Sequence, residues 1–183
     1  MTINTNSHGK CFTLKDNRYV FLRPPDMEDL DGLLELNQSA VAEDLDIEQV
    51  IALSKGEAKA LLQDMMARMA GKEALDLIAI VDSRIVANAT VIRKKGLSRH
   101  VGEYGNGIMK GYRGIGVGTA MLQELVSSSR EIELKVLISR TFASNIGARK
   151  MLERCGFREV ACIPKLYERK GRYIDEIIAA LEL

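Results

Sequence analysis

Arg113, Gly114, Gly116 and Gly118 are crowded into one short turn, directly before the amphipathic run Ala120-Met121-Leu122-Gln123-Glu124-Leu125-Val126. An apolar segment ending in Ile108-Met109 leads into it. Residues without a Cβ let a ligand approach the main chain closely. The first N–H groups of a helix have no partner within it, and its dipole makes that end positive. Bare backbone at such a point is an anion cradle suited to phosphate. The dinucleotide fingerprint would need glycine at Thr119 or Met121, and the P-loop would need a Lys-Ser/Thr pair after the last glycine. Neither is met. The residues alone leave two readings: a cradle formed by Arg113, Gly114, Ile115, Gly116, Val117, Gly118 and Thr119, or a strand-to-helix turn that merely packs tightly.

A second constellation follows at Asn145-Ile146-Gly147-Ala148-Arg149-Lys150-Met151-Leu152-Glu153-Arg154-Cys155-Gly156-Phe157. Taken singly, Asn145 is a helix N-cap, Ala148 a packing residue and Gly156 a C-cap. Taken together, the two segments resemble the GNAT N-acetyltransferases. Arg113, Gly116 and Gly118 fit Arg/Gln-x-x-Gly-x-Gly/Ala, with Ile108 and Tyr112 at matching places before it. Asn145, Ala148, Gly156 and Phe157 fit Asn-x-x-Ala-x-x-Leu-Tyr-x-x-x-Gly-Phe. Two departures stand out: Lys110 replaces a usual proline, and Leu152 replaces the usual tyrosine. The resemblance covers about Glu103 to Phe157. It implies acetyl-CoA as co-substrate and no metal, with the diphosphate on the glycine turn. Asn145 holds the pantetheine arm or the reacting groups, and Arg149 of the same helix is counted with the cofactor-binding residues.

Acetyl transfer to an amine has three requirements. An amine resembling lysine, with pKa ~10, must lose a proton. The developing oxyanion needs donors already aimed at it. The leaving thiolate is helped by an acid. Glycines in Gly105-Asn106-Gly107-Ile108 suggest a bulge or a close backbone approach. The resemblance implies that this strand splays from its neighbour, with the acetyl carbonyl near Ile108 and Met109. Glu103 is the first candidate base, and His100 the second. Leu152 cannot donate a proton, so Tyr167 is the candidate acid, with Tyr173 behind it. Cys155 has no histidine near it in sequence and is read as packing, so direct attack in a ternary complex is expected.

Between Arg23 and Lys55 no basic residue occurs, while Asp26, Glu28, Asp29, Asp31, Glu35, Glu43, Asp44, Asp46 and Glu48 are acidic. One reading is a solvated helix face. The other is an acidic lip that concentrates a cationic amine such as a polyamine, a lysine or a peptide N-terminus.

The elements that must position these residues are legible from pattern. Tyr19 to Arg23 reads as a strand stopped by Pro24-Pro25. Asp26 stands at an N-cap before Leu30, Leu33, Leu34 and Asn37 at helical spacing. Ala58 to Ala70 reads as a second helix, Leu75 to Val81 and Ile85 to Arg93 as a hairpin, and Tyr104 to Met109 as the strand feeding the turn. Leu134 to Ile138, the helix Asn145 to Arg154, and the strands Phe157 to Ile163 and Tyr173 to Leu181 complete the pattern. The expected class is α/β, a mixed and mostly antiparallel central sheet with helices on both faces. Residues 1–15 are expected to be a flexible arm and 16–183 one domain.

At 183 residues and net charge +1, nothing in bulk electrostatics marks a nucleic-acid binder. Cys11, Cys155 and Cys162 are odd in number and form no Cys-x-x-Cys pair, which argues for a reducing compartment. No apolar run reaches membrane-spanning length, and residues 1–7 lack the features of a signal peptide. A cytoplasmic protein is expected, with no nucleic-acid or membrane partner and a homodimer left open. Two function classes result: a coenzyme-A-dependent N-acetyltransferase, or a non-catalytic acyl-CoA-binding sensor or interaction domain.

Overall fold

The computed structural model describes residues 9–43 and 51–183. Asp44, Asp46 and Glu48 lie outside them, as do the first eight residues of the expected arm. Among the described residues, eight strands form one sheet in the order β1-β2-β3-β4-β5-β6-β8-β7. These are β1 (Lys10–Thr13), β2 (Tyr19–Arg23), β3 (Ala74–Val81), β4 (Arg84–Arg93), β5 (Val101–Ile108), β6 (Val136–Phe142), β7 (Arg158–Arg169) and β8 (Arg172–Glu182). The helices are α1 (Leu30–Ala42), α2 (Lys55–Ala70), α3 (Val117–Glu131) and α4 (Ile146–Arg154). Every adjacent pair is antiparallel except β5 with β6. The expected mixed, mostly antiparallel sheet is what the chain forms.

Local chemistry explains most boundaries. Asp26 caps the first helical turn by accepting the Glu28 N–H, and Asp29 returns the bond to the Asp26 N–H. Ser54 and Glu57 make the same reciprocal pair at the start of α2, which therefore begins before Ala58. Asp82 and Ser83 both have positive φ, as a two-residue β3–β4 hairpin turn requires. Lys10–Thr13 departs from expectation: this part of the supposed arm pairs in register with Tyr19–Leu22. Its four residues are too few to show a strand period, and pairing with β2 makes it extended.

Alternation sends successive strand residues to opposite faces. Leu77, Ala79 and Val81 join α3 and α4 in the larger core, together with Met121, Leu122, Leu125, Leu137, Met151 and Leu152. Ile78 joins Leu36 of α1, Ile85 and Met109 on the other face.

The pairing of β5 is the feature that positions the site. On one side β5 stays paired to β4 through Ile108, opposite Ala87. On the other it pairs with β6 only from Val101 to Tyr104, opposite Val136 to Ser139. Beyond Ser139, β6 continues against β8 as far as Phe142. The sheet therefore splits between Gly105–Ile108 and Arg140–Phe142.

Candidate active site

The glycine turn sits at the mouth of this split. Gly116, the N-cap of α3, has φ +112° and ψ −7°, a conformation that other residues rarely adopt. Gly118 is needed for space: a Cβ there would lie 2.7 Å from Met151 Sδ and 2.9 Å from Ile108 Cδ1. The Ile115 carbonyl accepts the Lys15 N–H at 3.0 Å, which ties the turn to the β1–β2 connection and brings Lys15 to its edge. Arg113 donates from Nε to the Ile108 carbonyl at 2.8 Å and pairs through Nη2 with Glu43 at 2.5 Å. It thus clamps the turn onto the end of β5.

A cavity of about 390 Å³ lies between the α3 N-terminus and α4. Of the expected residues, Ile108, Arg113, Gly114, Gly116, Gly118, Thr119 and Asn145 line it. Asn145 also caps α4, accepting the Ala148 N–H at 3.0 Å. The side chains of four expected residues point elsewhere. Val117 is buried and Ile115 packs against the core. Met109 is buried on the α1 face, with its N–H given to the Val86 carbonyl at 2.9 Å. Arg149 turns away from the cavity, bonding Glu159 at 2.6 Å and the Ala143 carbonyl at 3.0 Å.

Besides Arg113, the cations that line the cavity are Lys15, Lys150 and Arg154, and Asn106 lines it too. A helical wheel contains the signal for α4. Gly147, Lys150, Met151 and Arg154 repeat at three- and four-residue spacing and form one stripe. Arg149 lies off it.

Backbone alternation decides which amides face the split. In an antiparallel ladder, residues that bond the partner strand alternate with residues that point away. Met109 and Val101 bond β4-side groups, through Val86 and Lys94. By that alternation the N–H groups of Asn106 and Ile108 point away from β4, into the split.

On the opposite face of β5, Glu103 and Gly105 stand across from Ile92 and Thr90 of β4. A second cavity there contains Glu103, Tyr167, Arg140, Glu176 and Lys94, and it shares Asn106, Asn145, Ala148 and Met151 with the first. Glu103 pairs with Lys94 and lies 3.7 Å from Arg140. The Tyr167 hydroxyl donates to Glu176 Oε1 at 2.6 Å, and Arg140 bonds the other oxygen at 2.6 Å. Glu176 is 1% exposed. Neither it nor Arg140 is foreseen from sequence, since both lie outside the motifs and only the β6–β8 register joins them.

Leu152 is buried and lines this second cavity. Tyr173 is exposed on β8, beside Lys165. His100 sits just before β5, and its carbonyl accepts the Lys135 N–H. Burial pushes the Cys155 thiol up, which disfavours a thiolate.

Among the described residues, most acids of the expected lip are paired. Asp26 and Asp29 bind Arg23, Asp31 binds Lys55, Glu35 binds Arg84 and Glu43 binds Arg113. Their partners lie outside the acidic stretch, so a local count of charges overstates the field there. Among the described residues no group of three or more His, Cys, Asp or Glu could hold a metal, and no helix is long and apolar enough to cross a membrane.

A family model described as an acetyltransferase (GNAT) domain matches residues 20–158. No curated protein matches the sequence. Three solved structures share the fold. Ribosomal-protein-alanine N-acetyltransferase from Brucella melitensis is 24% identical, with TM-score 0.77, covering 88% of this chain and 99% of its own. RimJ of Mycobacterium smegmatis, in complex with CoA-disulfide, is 17% identical, with TM-score 0.80, covering 95% and 86%. The yncA protein of Salmonella typhimurium, with acetyl-CoA, is 19% identical, with TM-score 0.79, covering 90% and 94%. The motifs, the split sheet and a family model spanning most of the chain agree: this protein belongs to the GNAT acetyltransferase family.

Proposed function

We propose that the protein transfers an acetyl group from acetyl-CoA to an amine by direct attack in a ternary complex. The observation that carries this reading is the β5–β6 split opening beside the N-terminus of α3. The residues present fit the coenzyme. A bare Cα at Gly118 lets a ligand reach the helix amides, and Lys15, Lys150 and Arg154 supply positive charge around the cavity. Acetyl-CoA supplies the activated acetyl group as a thioester.

The chain's own groups do the rest. Amides of Asn106 and Ile108, turned into the split, receive the negative charge that develops on the acyl oxygen without reorganising. Glu103 takes the proton from the incoming amine, directly or through water. Tyr167, in the same cavity as Glu103, gives a proton to the departing sulfur, and Glu176 holds its phenol in place. Cys155 carries no acyl group.

A thiol-release assay with acetyl-CoA and a panel of amines tests the reading. Glu103→Gln is expected to lower kcat by roughly 10²-fold or more while leaving coenzyme affinity unchanged. Leu152, at the place of the usual tyrosine, supports a second reading as an acyl-CoA sensor. Coenzyme binding by calorimetry with no thiol released across all amines would favour it.

A further inference from the structure

On the α1/α2 face a third cavity, of about 380 Å³, adjoins the split. Its size falls within the range of small-molecule pockets, ~300–1,000 Å³. It shares Asn106, Gly107 and Ile108 with the coenzyme cavity, so whatever fills it lies next to the thioester. Its walls are apolar, with Leu36, Leu53, Leu62, Met65 and Met109 prominent. Asn37 fixes one wall, donating to the Ile51 carbonyl and accepting the Leu53 N–H, both at 3.1 Å.

Among the described residues, the charge in this cavity is paired. Glu43 is the one ionisable side chain among the described lining residues. Its carboxylate accepts the Lys110 N–H at 3.0 Å and pairs with Arg113. Asp76, across the β3–β4 ladder from Thr90, is 4% exposed. Burial pushes its carboxyl above the usual aspartate range. Among the described lining residues no carboxylate is free to replace the hydration that a polyamine or a lysine ammonium would lose here. A polar side chain lines the floor: Thr90, whose buried hydroxyl lies beside the Asp76 carboxyl. Thr90 sits opposite Gly105, where this cavity meets the one holding Glu103.

We infer that the acceptor is a primary amine bearing a neutral, apolar substituent, aliphatic or aryl. The substituent occupies the α1/α2 cavity, and the amine lies by Thr90 and Gly105, within reach of the Glu103 side. This inference rests on the acetyltransferase reading and names its substrate class.

The test compares kcat/KM for phenethylamine and leucinamide with that for spermidine and Nα-acetyl-lysinamide, at saturating acetyl-CoA. The apolar amines are expected to be better by at least tenfold. The double variant Leu53→Gln/Met65→Gln should lower kcat/KM for the apolar amines about tenfold, with CoA affinity unchanged. Ala40→Met, which fills the cavity from α1 without polarising it, should exclude phenethylamine and serves if the double variant folds poorly. Acetylation of spermidine at an equal or higher kcat/KM would overturn the inference and leave the acetyltransferase reading intact. If no amine is acetylated, calorimetry of phenethylamine against the protein–CoA complex decides. Binding that the cavity variants abolish upholds the pocket's chemistry while the enzyme reading fails; absence of binding overturns it.

Discussion

Replacing Gly118 with alanine separates the fold from the coenzyme site. The new Cβ would lie 2.7 Å from Met151 Sδ and 2.9 Å from Ile108 Cδ1, where ordinary contact begins at 3.4 Å. Each neighbour must therefore yield by about half an ångström or more. Both are side-chain tips, so the fold absorbs the strain at the low end of overpacking costs, ~1 kcal/mol. In a chain of this length that lowers Tm by about 2–4 °C. Affinity suffers more, because Ile108 and Met151 both line the coenzyme cavity and are pushed into it. Loss of one charge-assisted hydrogen bond to a phosphate is worth ~1.5–3 kcal/mol. The Kd for CoA is then expected to rise roughly 10- to 150-fold. Calorimetry with CoA, alongside thermal melts, reads both quantities. Gly56→Ala is the control: a Cβ there meets nothing within 4 Å, and α2 should gain ~1 kcal/mol with CoA affinity unaltered. Gly116→Ala should show the converse balance, a stability loss of ~1–2 kcal/mol from its positive φ. A Gly118→Ala protein that binds CoA within threefold of the parent would refute the account of the cradle.

Three further outcomes are expected. Lys150→Ala should weaken CoA binding severalfold at low salt and less at high salt, whereas Arg149→Ala should leave Kd within twofold and lower Tm through the lost Glu159 contact; the reverse pattern would mean that the α4 stripe has been misassigned. Burial alone would raise the Glu43 carboxyl, but the Lys110 N–H and the Arg113 guanidinium outweigh it and hold it below its ordinary 4.5. A depressed folded value contributes stability that is present above 4.5 and lost as pH falls through the lower value. Denaturation from pH 7 to 3 should therefore show the gap between wild type and Glu43→Gln closing at the acid end, and a gap independent of pH would contradict it. Tyr167→Phe removes the phenol from the buried Glu176 and leaves its bond to Arg140, at a stability cost of ~1–3 kcal/mol. Tyr167→Phe should also lower kcat by roughly tenfold or more with CoA affinity intact, and an unchanged kcat would remove the proton-donor role.

Features set by neighbours in the chain were readable as letters. Glycines at 114, 116 and 118, the Asn145 cap, the Asp82-Ser83 hairpin and the cap at Asp26 follow from backbone conformations and short-range hydrogen bonds. They sufficed for the sheet class and for the glycine turn before α3. Features set by packing were not readable. Lys10–Thr13 becomes a strand only because β2 offers it an edge. The β5–β6 split was expected from the family resemblance and not from the residues themselves: it exists because β6 leaves β5 after Ser139 and stays with β8, a matter of register between segments far apart in sequence. The acids of residues 26–43 looked like a free field until Arg84 and Arg113, brought from other elements, paired with Glu35 and Glu43. Spacing encodes direction along one backbone, so it can place a residue on a helix face or a strand face. It cannot say which distant charge will meet that residue, and here those meetings decide which carboxylates remain for chemistry.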